Sequence, residues 1–413
     1  MNQKMVANEI TAKTRAADMR PEVELLLCCA RTCMNSETTE RIKTLLRQDV
    51  DWEYLIQTAR SHGVMPLLYW NLNTTCLEVV PEPRLAQLRE YFHINARRSL
   101  FLTRELLLVL NLFEAHGIRA IPYKGPVLAA FAYGKLELRQ FCDLDILIHK
   151  RDVLSTKNLL ISQGYQLKLQ LNWECQFVHK DSRVNVDLHW GITQRERPFP
   201  VEFERLWSRL EPISLAGTKV LNLQPEDLVI ILCVQVTKDC WQWQEQLVKL
   251  AKICDIAELI RVNQGMDWNQ LIEQAALLGS ERMLLLGLLL ARDLLGTPLP
   301  EEISQRMQAH PVVKALAFTV CERLFKADYS STHGTRPPKY LDTEKNLFYF
   351  RVRERLRDKV PYLLHLVNVA IAPTPADQEF LPLPPSLCFL YYLIRPIRAI
   401  GKLRLLGRWG DGG

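Results

Sequence analysis

The run Phe141-Cys142-Asp143-Leu144-Asp145-Ile146-Leu147-Ile148 constrains this chain more than any other segment. It reads as a strand, and in a strand successive side chains point to opposite faces. Asp143 and Asp145 therefore share one face, and Leu144, Ile146 and Ile148 share the other. Two carboxylates side by side repel. Proteins tolerate that cost where a cation sits between them, usually a hard divalent metal with oxygen ligands. A second segment, Arg183 to Trp190, alternates strictly. Val184, Val186, Leu188 and Trp190 would face a core, and Asn185, Asp187 and His189 the other way. We expect Asp143, Asp145 and Asp187 to converge at one mouth of a single mixed sheet.

Three acids on one face suit a particular chemistry. Divalent ions such as Mg²⁺ or Mn²⁺ take carboxylate oxygens as bridging and terminal ligands, so Asp143, Asp145 and Asp187 are candidate metal ligands. His189 lies on the same side, placed either to orient Asp187 or to serve as an ordinary strand histidine. An isolated Asp-x-Asp is common at strand ends and in solvated loops, and Asp187 alone fits a surface acid. The succession is more specific: a strand ending in Lys124-Gly125, a helical stretch, the Asp-x-Asp strand, a helix, then the Asp187 strand.

The segment from Ile121 to Ile148 resembles the bacterial family of uncharacterised nucleotidyltransferases, within the polymerase-β superfamily. The matching residues are Lys124-Gly125, Tyr133-Gly134, Arg139 and Asp143-Leu144-Asp145-Ile146-Leu147, followed by Asp187-Leu188-His189-Trp190 and a helical region with Lys238, Trp241 and Asp255 to Ile260. The resemblance spans roughly residues 50 to 300. It implies an α+β fold: a polymerase-β-like nucleotidyltransferase core with a mixed β-sheet, flanked by N- and C-terminal helical regions. It also implies a metal-dependent enzyme that moves a nucleoside monophosphate from NTP to an unidentified acceptor, releasing pyrophosphate, in which Asp143 and Asp145 would ligate two Mg²⁺ (or Mn²⁺) ions and Asp187 would complete the second site and act as base. Lys124, Gly125 and Arg139 would then hold the nucleotide, with Lys238 a weaker candidate because a helical surface lysine is usually only solvated. Two departures matter. Most members of the superfamily have Gly-Gly or Gly-Ser where this chain has Lys124-Gly125-Pro126, and Pro126 has no N–H to offer a phosphate; Lys124 would act as a point charge instead. Gln235 and Asp239 stand where the family often has histidines. The altered Gly-Ser region favours a rival reading, a nucleotide-binding regulatory or scaffolding module without turnover, and the three intact acids argue against it.

Composition narrows the setting. The chain has 413 residues, 48% of them hydrophobic, and a net charge of +6, which fits a folded protein of two or three domains with phosphate substrates. No nucleic-acid-binding module or zinc-finger spacing is evident. The cysteine count, 11, is odd and follows no framework, as expected of free thiols in the cytoplasm. Cys142 reads as packed on the face opposite Asp143, without a nucleophilic role. Met1 to Arg20 lacks the apolar core of a signal peptide, and the longest apolar runs, such as Met283 to Ala291, are too short to span a bilayer. His62 and His93 read as structural.

Five regions are expected: a flexible tail (1–20), an N-terminal helical region (21–116), the nucleotidyltransferase core (117–223), a C-terminal helical region (224–371) and a Pro-rich linker with a basic amphipathic tail (372–413). Expected helices include 92–115, 127–131, 151–163, 224 onward, 246–260, 268–278 and 280–295. A hairpin element is expected over 215–223, and polar or Pro-rich linkers over 330–341 and 372–385. Leu390 to Leu403 gathers Arg395, Arg398 and Lys402 on one side. That pattern suits a helix contacting a membrane surface or a partner, or, as the simpler reading, one docked on the protein's own body.

Overall fold

The computed structural model describes residues 19–193, 203–240, 248–325, 343–373, 375–392 and 395. The expected tail up to residue 18, Trp241, the linker at 330–341 and most of the basic helix at 390–403 lie outside these residues. Contacts divide the chain into two units, Met1–Tyr329 and Ser330–Gly413.

The first unit opens with helices α1 (Pro21–Cys29), α2 (Ser36–Leu46), α3 (Trp52–His62), α4 (Met65–Thr75) and α5 (Glu82–Ala115). Asn35 and Asp51 accept the backbone N–H of Thr38 and Tyr54, capping α2 and α3. Helix α5 starts ten residues before the expected Phe92, because Pro83 sits in its first turn and Leu85, Leu88 and Phe92 continue the buried spacing. Its later stripe, Leu102, Leu106, Val109 and Phe113, packs on the sheet.

The sheet holds β1 (Ala120–Pro122), β2 (Asp143–Ile148), β3 (Tyr165–Gln170), β4 (Glu174–His179) and β5 (Asn185–His189), in the order β1-β2-β5-β4-β3. β2 and β5 run parallel and the other neighbours antiparallel. The parallel pair needs a long crossover, supplied by α7 (Val153–Ser162), β3 and β4. Between β1 and β2, α6 (Gly125–Leu128) makes one α-turn and then widens to a π-turn over Ala129–Tyr133, two residues earlier than the expected 127–131.

One sheet face is wholly apolar. Leu144, Ile146 and Ile148 of β2, Val186 and Leu188 of β5, and Cys175 and Phe177 of β4 share a cluster with the α5 stripe and with Leu160 of α7. Leu215 and Val220 join it from a separate hairpin, β6 (Glu211–Leu215) and β7 (Thr218–Asn222), which follows α8 (Phe203–Ser208). The hairpin begins earlier than expected. Trp190 is half-buried against this cluster, its indole N–H donating to the Asn172 carbonyl at 2.9 Å.

Helices α9 (Pro225–Asp239), α10 (Leu250–Val262), α11 (Trp268–Leu278), α12 (Glu281–Leu295), α13 (Glu301–Gln308) and α14 (Pro311–Leu324) complete the first unit. The second unit contains α15 (Thr343–Val352), α16 (Leu356–Ile371), α17 (Pro375–Phe380) and a 3₁₀ turn over Pro385–Leu390. Tyr362 of α16 bonds Asn346 of α15 and lies under the Arg353 guanidinium, 4.1 Å away. The stretch read as a linker at 372–385 therefore contains a helix, started by Pro375 and carrying buried Asp377, which pairs with Arg395 at 3.5 Å. Among the described residues no helix is long and apolar enough to cross a membrane.

Candidate active site

The face opposite the apolar cluster is polar, because the same strands alternate. In the β2–β5 register Asp145 stands beside Asp187 and Asp143 beside Asn185. Across to β4, Asp187 faces Gln176 and His189 faces Glu174. Donor atoms of Asp145, Asp187 and His189 all lie within 4.8 Å of one another. Asp143 stands outside this trio, though its charge couples to both other aspartates.

The two neighbouring aspartates have opposite surroundings. Asp145 receives the Lys124 ammonium at 3.0 Å and faces the His189 Nε2 at 3.0 Å. Burial opposes its charge, but Lys124 and His189 outweigh that and hold its carboxyl well below the usual range. Among the described residues Asp187 has the Gln176 amide as its hydrogen-bond partner, donating at 3.3 Å. Burial first, then the carboxylates of Asp145, Asp143 and Glu174, push it up to about 8. Glu174, 3.5 Å from His189 Nδ1, is pushed up to about 7, mainly by burial, with Lys238 pulling the other way. His189 is held down by burial against the pull of Asp145. Its ring stacks on Trp173 at 5.6 Å and meets the edge of Tyr123 at 5.6 Å.

Lys124 and Gly125 sit at the turn after β1. Gly125 has φ +55°, which L side chains rarely adopt, and a Cβ there would press on the Asp143 backbone carbonyl at 3.2 Å. The single α-turn beyond it aligns few peptide dipoles, and Pro126 adds no donor. Lys238, expected to be solvated, is only 20% exposed. Its ammonium lies 4.7 Å from the Trp173 ring centre, and burial lowers its pKa.

Arg139 has a partner the sequence did not reveal. Its Nε and Nη2 donate to the two oxygens of Asp255 on α10 at 2.7 and 2.9 Å, and the Tyr133 hydroxyl donates to the same carboxylate at 2.7 Å. Its Nη1 is buried with no hydrogen-bond partner among the described residues. Gln235 of α9 donates to the Tyr123 hydroxyl at 3.3 Å. Cys142, expected to pack against the core, is instead exposed; Phe141 takes the core position.

The order of strands, the paired acids and the Lys124-Gly125 turn all lie inside residues 48–296, which match the model of the uncharacterised nucleotidyltransferase family. The chain belongs to that family. It is accordingly a nucleotidyltransferase, with a mixed sheet set among helices. No curated protein matches it. Among solved structures, a lincomycin-bound lincosamide antibiotic adenylyltransferase, LnuA, is 17% identical, with 38% of this chain and 96% of that one covered and a TM-score of 0.28. An antigenic nucleotidyltransferase-like protein from Paracoccidioides brasiliensis is 16% identical, with 39% and 76% covered and a TM-score of 0.29. Likenesses this distant carry nothing about substrate.

Proposed function

We propose that this nucleotidyltransferase is metal-dependent and transfers a nucleoside monophosphate from NTP to an acceptor, releasing pyrophosphate. The observation that carries the reading is the side-by-side placement of Asp145 and Asp187 on parallel strands, their carboxylates and the His189 ring nitrogen lying within 4.8 Å of one another. An under-compensated set of hard oxygen donors, with one imidazole beside it, fits Mg²⁺ or Mn²⁺. Asp145 and Asp187 would hold the ion, with Asp143 turning in as a further ligand. Bound there, the metal supplies Lewis acidity at the reacting phosphate and at the attacking hydroxyl.

The chain's own residues do the rest. The acceptor oxygen attacks the α-phosphorus, the bond to pyrophosphate breaks, and Asp187 takes the hydroxyl proton. Lys124 and Lys238 supply positive charge to the triphosphate oxygens, and Gly125 leaves room for it. His189, held between Trp173 and Tyr123, keeps Asp145 in place. Arg139 serves the nucleotide through its unpartnered Nη1 while Asp255 fixes its orientation. We read residues 117–223 as the core that carries the site. The Tyr123–Gln235 and Arg139–Asp255 bonds anchor it to the helices that follow. Among the described residues no two cysteines form a disulfide, which suits a reducing cytoplasm.

One observation favours the rival, a nucleotide-holding module without turnover: Lys124 and His189 already compensate Asp145. Thermal shift separates binding from its absence. A ligand that binds only the folded state raises its stability with occupancy, and Mg²⁺ keeps its waters until phosphate oxygens join it. Wild type should gain more from Mg²⁺ plus NTP than from either alone, and Asp145→Asn with Asp187→Asn should lose that gain. Equal gain in the variant overturns both readings. Gain in wild type without transfer to any acceptor leaves the module.

A further inference from the structure

Charge is unevenly divided between the two units. From Ser330 to Gly413 the chain has thirteen Lys and Arg against seven Asp and Glu, a balance of +6 that equals that of the whole chain; Met1–Tyr329 is neutral. The same basic unit exposes an apolar helix face. On α16, Leu356, Val360, Leu363, Leu364 and Val367 recur at helical spacing, with Leu356 77% and Leu364 63% exposed. The opposite side of α16 is the covered one, where Tyr362 packs on α15. Arg357 at the start of the helix is exposed beside this stripe, and Phe389 and Tyr392 are exposed later in the unit.

We propose that this face docks on an anionic lipid surface. An apolar stripe flanked by cations is what a helix lying in a bilayer interface presents, and exposed aromatic residues favour the same boundary. Two copies of a unit with this charge repel each other, and residues 1–329 carry no net charge to attract it. An anionic bilayer satisfies both the apolar and the basic character. No spanning helix is involved.

The test uses the full-length chain, sedimented with phosphatidylglycerol-rich and with pure phosphatidylcholine vesicles. Binding to the first, weakened by salt, and none to the second is expected. Leu363→Glu with Leu364→Glu should lower partitioning about tenfold without changing the circular dichroism or the melting temperature. Leu364→Gln, at a more exposed position, should lower it less, and Arg357→Gln should reduce its salt dependence. Failure of wild type to bind, or equal binding by the Glu variant, overturns the proposal. So does a lipid-free dimer that the Glu variant dissociates, since the face then belongs to a second copy.

Discussion

On β2, Leu144, Ile146 and Ile148 lie in the apolar cluster, while Asp143 and Asp145, one residue away each time, lie on the face that carries Asp187, a half-buried acid beside the buried Asp145. On β5 the same alternation puts Val186 and Leu188 on one side and Asp187 and His189 on the other. The two faces share their backbone and every ladder hydrogen bond, so they differ only in side chains. The apolar face gains from burial. The acidic face loses by it, and holds together because Lys124, His189 and Gln176 offset part of the charge. The difference teaches where selection for function acts: one face stabilises the sheet, and the other uses some of that stability to keep like charges close.

Breaking the apolar face should have the largest effect on folding. Phe177 is fully buried in the cluster, and Phe177→Ala should cost about 3–5 kcal/mol in urea unfolding. A buried, bidentate ion pair should behave more like the core than like the acids. Asp255→Ala leaves the buried Arg139 uncompensated and should cost about 3 kcal/mol or more. A loss below about 1 kcal/mol would show that the pair is not holding the loop before β2.

The acids should respond in the opposite sense. Asp187→Asn should lower transfer by about 10²–10³-fold yet raise stability in metal-free buffer. The sign follows from its carboxyl, near 3.8 when unfolded and raised to about 8 when folded. Between those values the folded state holds the extra proton, so this group's contribution is full below about pH 4 and is lost as pH rises through 8. Wild type should therefore weaken over that window more than Asp187→Asn, by about 2 kcal/mol or more. An identical pH profile in the two would break the comparison.

A smaller pH effect should come from outside the sheet. His62 accepts the Leu250 N–H at 3.2 Å and is held neutral by burial, its pKa lowered from 6.5 to about 4. Here the unfolded chain takes the proton first. The contribution is full above pH 6.5 and falls as pH drops toward 4, by about 1–2 kcal/mol. His62→Gln should flatten this acid limb and leave the Asp187 window untouched.

The acidic face was legible because a strand's period of two is rigid: once Asp143, Asp145 and Asp187 alternate with apolar residues, their shared side follows. Their contacts were not. Glu174 and Gln176 lie on the same side of β4, a signal present in the alternation of residues 173–179, but their approach to His189 and Asp187 required the strand order. Arg139 and Asp255 are too far apart in sequence for any local pattern to join them. Lys238 looked solvated because a helical lysine usually is, and Trp173, which covers it, lies on another element. Residue 142 was misread because the strand begins only at Asp143, so the alternation that would have buried Cys142 does not extend to it.

The most direct test incubates the protein with each α-labelled nucleoside triphosphate and Mg²⁺ or Mn²⁺, and follows both pyrophosphate release and label entering protein, RNA or small molecules. Wild type should release pyrophosphate in step with label transfer to one acceptor class, and Asp145→Asn with Asp187→Asn should do neither while remaining folded. Transfer that survives in that variant, or wild type that releases no pyrophosphate with any nucleotide and acceptor, would contradict the account.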